Sequence, residues 1–383
     1  MTGLGVVAGS LTPVDRRGGY HLPESSQLAL LCGGLDLSQW VTPAMGRRMS
    51  VPSKFAVAAA RMAMADANLL ADLAGSRTSV VMSNALGAID VTARLLKTAI
   101  LEGPEAVSPF AFTESVANAA TAQMAIALQA RGSNLTIVQR EAGILTAVGR
   151  GAAEVAVGNA DRALVGGVEE MPPLMHALLD RLEALARPGG PGGEVARPFD
   201  RRRSGFVAAE GAAVLVLEAG DQARSRGATI RGRVRGFGSA FDPSAPRIGW
   251  GSGHVQLARA LRGTLDRAGL GPRDVGRIVS GASGSIAGDR LEAHTLRHAW
   301  GENPLPPILA PKGATGQYGG GFLASAMRAV SAQDCASTAG FEDPDPELGV
   351  TPHQGGPLSP AGITLVTSLA SGGAAAWLLL EAM

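Results

Sequence analysis

The chain closes in the same way twice. Residues 211–219 read GAAVLVLEA and residues 373–382 read GAAAWLLLEA, each a glycine-led apolar run ending in Leu-Glu-Ala. An apolar run of this length without alternation is a strand buried on both faces, so each copy demands a sheet covered on its two sides. Before each copy, strand-like and helix-like segments alternate. The first series runs GVVAG, a helix over 51–69, SRTSVVMS, helices near 89–102 and 115–130, NLTIV, a helix over 142–157 and RALVGGV. The second runs GRVRGFGSA, a helix over 255–268, RIVSGA, a helix over 289–299 and GITLVTSLA. Such alternation predicts an α/β chain with parallel-rich sheets. The two endings predict an internal duplication with its boundary near 220–230, giving an N-terminal half 1–225 and a C-terminal half 226–383. The Gly/Pro segments 187–193 and 340–358 read as loops within the halves.

Composition tells how such a chain packs. Of 383 residues 46% are hydrophobic, enough for a large core, yet only 4% are aromatic and 52 are glycine. Helices and sheets built from small residues approach closely. A formal net charge of +1 gives no broad reason to expect nucleic acid, and the basic run Arg201–Arg203 reads as a turn or as local ion pairing. Cys32 and Cys335 match no ligand spacing and fit a reducing compartment. No window is long and apolar enough to cross a membrane and MTGLGVVAGS does not look like a signal peptide, so the expectation is a cytoplasmic protein without a membrane partner.

The stretch NLTIVQREAGILTAVGRG is a strand, a sharp turn and a helix. An enzyme of this layout holds its nucleophile at the turn, where the helix N-terminus favours an anion. Ser, Cys and Thr are absent from Val138 to Ile144, and Glu141 stands in their place. Elsewhere His294 and His298 are spaced for one helix face, but with no third ligand evident they read as a surface face, and no metal is expected.

VSPFAFTESVANAATAQMAIAL, NLTIV, ARPFDRRRSGFVAAEGAAVLVLE and PKGATGQYGGG together resemble β-ketoacyl synthases over almost the whole chain. The resemblance implies a thiolase-like fold, two duplicated halves in a five-layer α/β/α/β/α arrangement, and a dimer formed through the N-terminal half. It also implies a cysteine that carries the acyl group and two histidines that assist decarboxylation and stabilise the enolate. Here Glu141 falls at the cysteine. SGASGSIAGDRLEA matches the family's first histidine motif at Asp289 and Glu292 but has Gly281 at the histidine. KGATGQ keeps Lys312 and Gly316 but has Gln317 at the second histidine. No catalytic residue remains, since a carboxylate would carry an acyl group only as a hydrolysable anhydride.

That pattern is similar to the chain length factor, the ketosynthase-like β subunit of type II polyketide synthases, whose turn reads EQAGGLDA against REAGILTA here. The resemblance implies a heterodimer with an active ketosynthase, so that acyltransferase activity belongs to the pair. It implies substrate on the phosphopantetheine of an acyl carrier protein, with no cofactor bound by this chain. It implies a tunnel whose far end is closed by one helix face, here Thr113, Val116, Ala117 and Ala120, with Phe110 and Phe112 as plugs near the helix start. It implies structural roles for Lys312, paired with Glu292, and for Asp200. Arg140 is a local partner for the Glu141 carboxylate. Two rivals remain: a malonyl decarboxylase or acyltransferase using Glu141 as a base, and a homodimeric scaffold.

Overall fold

The computed structural model describes residues 1–22, 24–70, 77–188 and 193–383, with residues 319–321 as backbone alone. The first half runs β1 (Gly3–Ala8), β2 (Ser10–Pro13), β3 (Leu28–Leu31), α1 (Pro43–Gly46), α2 (Val51–Asp66), β4 (Thr78–Ser83), α3 (Ile89–Leu101), α4 (Pro109–Ser115), α5 (Ala119–Ala127), β5 (Asn134–Ile137), α6 (Gly143–Ala156), β6 (Arg162–Glu169), α7 (Pro173–Arg181), β7 (Ala208–Ala209), β8 (Gly211–Glu218) and α8 (Gly220–Ser225). The second runs β9 (Arg233–Phe241), α9 (His254–Arg267), β10 (Val275–Val279), α10 (Ile286–Trp300), β11 (Ile308–Leu309), α11 (Lys312–Thr315), α12 (Gly319–Ser331), β12 (Asp334–Cys335), β13 (Gly356–Pro357), β14 (Ile363–Leu369) and β15 (Ala374–Glu381).

The duplication is visible in the pairing. One sheet has the order β1-β8-β6-β4-β5, the other β9-β15-β14-β10-β11. In both, the first two junctions are antiparallel and the last two parallel. The repeated endings GAAVLVLE and AAAWLLLE become β8 and β15, which hold the same slot and are buried almost throughout.

Five layers follow from where the apolar faces go. α2 and α5 cover the outside of the first sheet, α9 and α10 the outside of the second, and α6 and α12 lie between the sheets. Ile144, Leu145 and Val148 of α6 meet Val165, Leu215 and Leu378 in the central layer, each such side chain worth about 1.5–3 kcal/mol of burial. Glycine sets the spacing at two points. A Cβ at Gly5 of β1 would lie 1.9 Å from the Ala59 carbonyl of α2, and one at Gly149 of α6 would lie 2.3 Å from the Phe237 ring of β9. Among the described residues no helix is long and apolar enough to cross a membrane.

Two expectations meet corrections or limits. The helix expected over 115–130 is broken: α4 ends at Ser115, Val116 is extended at φ −86° and ψ 148°, and α5 starts at Ala119. Hydroxyls explain the break, since Thr113 Oγ1 and Ser115 Oγ bond back to the carbonyls of Phe110 and Phe112, and Asn84 Nδ2 holds the Ala117 carbonyl at 2.7 Å. Of the loop 187–193, residues 189–192 lie outside the described residues. The loop 340–358 holds only the short strand β13.

Candidate functional site

Glu141 sits in the turn between β5 and α6, after Arg140 with its left-handed φ of 47°. Ser368, at the end of β14, donates through Oγ to the Glu141 carbonyl at 2.7 Å, tying the turn of one half to the second sheet. The residue is half-buried as a whole, but its Oε2 is enclosed and has no hydrogen-bond partner. Burial pushes the carboxyl above its usual range, against the pull of nearby backbone N–H groups and the charges of Lys312 and Arg140. Arg140 does not pair with it, which corrects the expectation of a local contact. Its guanidinium turns away to the Ser371 carbonyl and hydroxyl and to the Arg247 carbonyl at 2.9–3.1 Å.

The place of the first histidine is closed. A Cβ on Gly281 would stand 2.8 Å from the Thr367 carbonyl and 3.0 Å from Ser368 Cα, so β14 occupies the space where a side chain would begin. The Gly281 N–H donates to Glu292 Oε1 at 3.1 Å, and Ser280 Oγ and Thr367 Oγ1 donate to the same oxygen. Asp289 accepts from the N–H groups of Phe199, Ser283 and Gly284, which shapes the loop before α10. Burial raises Asp289 to about 6 and pushes Glu292 up as well.

Lys312 is buried at the start of α11, its Nζ 4.9 Å from the centre of the Phe322 ring. It acts on Glu292 through its field, not by contact: burial pushes the ammonium down, and the charges of Glu141, Glu292 and Asp289 oppose that. Gln317 follows α11, its N–H bonded to the Val207 carbonyl at 2.8 Å and its Oε1 unpartnered.

Asp200 is fully buried and takes three backbone N–H groups, those of Arg202, Glu342 and Asp343, at 2.7–2.8 Å. Burial works against its charge, but these donors outweigh it and hold the carboxyl below its usual value. The basic run resolves into ion pairs: Arg201 with Asp343, Arg202 with Glu342, and Arg203 with Asp345, at 2.5–2.7 Å. His294 bonds the Glu347 carbonyl, and the His254 ring stands edge-on to those of His294 and His298, with centres 5.5 and 6.1 Å away.

Glu141 and Gln317 open onto a cavity of about 500 Å³. Its long wall is α7, through Met175, Leu178 and Leu179, extended by Met171, Leu182 and Trp250. Glu169, the last residue of β6, also lines it. Sequence reasoning missed this wall and Glu169, although a charged residue closing the apolar strand RALVGGV was a usable signal.

The expected tunnel face does not form within this chain. With the helix broken, Thr113, Val116 and Ala117 are exposed, Phe110 and Phe112 are 64% and 60% exposed, and Ala120 is withdrawn into the core against α2. None of the six lines the cavity. Phe110 instead carries the Arg48 guanidinium 5.0 Å over its ring.

A duplicated pair of sheets around two buried helices, with a strand-to-helix turn facing an apolar cavity, is a thiolase-like architecture. The chain belongs to the β-ketoacyl synthase family: the descriptions "Beta-ketoacyl synthase, N-terminal domain" and "Beta-ketoacyl synthase, C-terminal domain" match residues 36–223 and 232–332. It is 27% identical to a 3-oxoacyl-[acyl-carrier-protein] synthase 2 of Vibrio cholerae over 94% of this chain and 89% of that one. It is 29% identical to a 3-oxoacyl-[acyl-carrier-protein] synthase 2 of Staphylococcus aureus over 87% of this chain and 82% of that one. Among solved structures, the ishigamide ketosynthase/chain length factor is similar at a TM-score of 0.88 and 26% identity, covering 100% of this chain and 98% of that one.

Proposed function

We propose that this chain is a non-catalytic, chain-length-factor-type subunit that pairs with an active ketosynthase and helps shape the space into which the acyl chain grows. The observation that carries the reading is the condition of the three reactive positions on an intact family fold. Glu141 offers no thiol, Gln317 offers no imidazole, and at Gly281 the backbone of β14 has closed over the site. Condensation needs an acyl-carrying nucleophile and donors that stabilise an enolate, and none of the three positions carries such a side chain. A partner must bring them.

The surface supports pairing through the first half. β5 is the edge strand of its sheet, and exposed apolar side chains lie just after it (Val138), on α5 that packs on it (Ile126) and on and after α4 that packs on α5 (Phe110, Phe112 and Val116). In this reading Phe110, Phe112, Thr113, Val116 and Ala117 meet the acyl chain at the interface with the partner, and Ala120 does not. Lys312, Glu292 and Asp200 hold the turns around the vacated positions. The substrate reaches the pair on the phosphopantetheine of an acyl carrier protein, as the names of the curated relatives suggest.

Co-expression with the ketosynthase it accompanies, followed by native mass spectrometry, tests the reading. A heterodimer is expected, and recovery of homodimer alone defeats it. One observation favours a second reading, a malonyl decarboxylase. Glu141 faces the cavity with its carboxyl pushed up by burial, which favours the protonated form, an acid able to deliver the proton that the enolate takes up after carbon dioxide leaves. Carbon dioxide released from malonyl carrier protein by the isolated chain, and abolished by Glu141→Gln, would move the assignment there.

A further inference from the structure

The break between α4 and α5 is held from outside the two helices. Where a helix stops, its last carbonyls lose their partners. Around this break side chains take them up. Thr113 Oγ1 and Ser115 Oγ serve the carbonyls of Phe110 and Phe112 from within α4. Two further donors come from other parts of the chain. Thr92 of α3 donates through Oγ1 to the Ser115 carbonyl at 3.1 Å, and Asn84, just after β4, donates through Nδ2 to the Ala117 carbonyl at 2.7 Å.

Both donors are themselves anchored. Asn84 is buried, its N–H bonds the Ile137 carbonyl of β5 at 3.2 Å, and the amides of Ala85 and Leu86 after it are held by Glu169 Oε1. Asn84 Oδ1 is enclosed and has no partner, so the bond to Ala117 is what this side-chain amide does. The loop also touches the break directly, since a Cβ on Gly87 would stand 3.5 Å from Ala117 Cα. Thr92 Oγ1 lies 2.9 Å from the Ala88 carbonyl as well, which fixes its rotamer on α3.

The break decides which way Val116 and Ala117 point. In one continuous helix they would stand four and three residues before Ala120, on the same face. Ala120 is 4% exposed and packs in the core against α2, so such a helix would draw both side chains inward. With Val116 extended at ψ 148°, both are exposed, as are Phe112 before them and Ile126 after them in the chain.

We propose that Asn84 and Thr92 are positioning residues: by holding the break they turn Val116 and Ala117 outward to the partner subunit, and so limit the length of the acyl chain that the pair makes. The inference rests on the pairing reading given above. Both residues act through a backbone carbonyl and need no contact with the acyl chain. Once either carbonyl is released, Val116 and Ala117 can follow the helical path inward, which leaves room for a longer product. Asn84→Leu and Thr92→Val remove the donors at similar volume, whereas Thr92→Ser keeps its hydroxyl.

The co-purified heterodimer, supplied with acyl and malonyl carrier proteins, tests it, with product lengths read by mass spectrometry. Asn84→Leu combined with Thr92→Val lengthens the main product by at least one two-carbon unit. Thr92→Val alone yields a smaller share of the longer product, and Thr92→Ser gives the parent length, a dependence on the donor that a merely structural contact would not show. In the isolated double variant, amide exchange at Ala119 and Ala122, which bond the Val116 and Asn118 carbonyls, quickens at least about threefold, while β4 and α2 exchange at the parent rate. The proposal is overturned by parent product lengths from a paired double variant, by a shift in Thr92→Ser equal to that in Thr92→Val, or by unchanged exchange at Ala119 and Ala122. A parent chain that forms no heterodimer would sink the pairing reading and this inference together, whereas a pair that forms with unaltered products sinks this inference alone.

Discussion

At Gly281 the absence of a side chain is structural as well as chemical. With 2.8 Å between a Cβ there and the Thr367 carbonyl, even alanine forces β14 to move. Gly281→Ala is expected to cost about 1–3 kcal/mol in urea unfolding. It follows that restoring all three reactive side chains, as Glu141→Cys, Gly281→His and Gln317→His together, leaves condensation of acyl and malonyl carrier proteins at background, whereas measurable β-ketoacyl product would show that the site is still open. Glu169 predicts a pH dependence. Its folded value of about 8 lies above the ordinary 4.5, so the folded chain binds this proton more tightly than the unfolded chain does. The resulting stability is complete below about pH 4.5 and is lost as pH rises through 8, at up to about 1.4 kcal/mol per unit. Unliganded Glu169→Gln should flatten that part of the stability profile, and an unchanged slope would place the titration elsewhere.

At the scale of elements, α5 and α12 are the informative pieces. Ala120 in α5 is 4% exposed and packs in the core against α2. Ala120→Phe is therefore expected to overpack the core and lower stability by about 1–3 kcal/mol, while Val116→Phe, on the exposed break, leaves the melting temperature within about a degree or two of the parent. A shortened product from a fully stable Ala120→Phe variant would return that position to the tunnel. The end of α12 depends on Arg277, which is buried and donates to the carbonyls of Ala329, Ala332 and Ser359. Among the described ion pairs it has no carboxylate partner, and burial pushes its guanidinium down. Arg277→Met removes a costly buried charge but strands three carbonyls, for a net loss of about 2 kcal/mol, together with faster hydrogen exchange in the last turn of α12.

For the whole molecule, the decisive surface is the one beside β5. Phe112 and Val138 are 60% and 55% exposed, and substituting both with Asp should leave the folded chain intact while abolishing recovery of a heterodimer. Persistence of the pair would move the interface to another face. Much of this layout was legible in the chain itself. The twin endings became β8 and β15 because unbroken apolar runs cannot be satisfied at a surface, and the glycine-rich composition anticipated closely packed layers, whose contacts at Gly5 and Gly149 the structure locates. The replacement of the reactive residues by Glu141, Gly281 and Gln317 was also readable, since it depends only on residue identity at a motif. The continuous face through Thr113, Val116, Ala117 and Ala120 was not, because helical periodicity persists in a sequence whose hydroxyls and a distant amide, Asn84, interrupt the helix. Sequence alone determined the duplication and the missing chemistry, which follow from local pattern and from side-chain type at the motifs, while the five layers were implied by the family resemblance. Only the tertiary structure decided that β14 seals Gly281, that Arg140 abandons Glu141, and that Glu169 and α7 form a cavity, because these contacts join segments far apart in the chain.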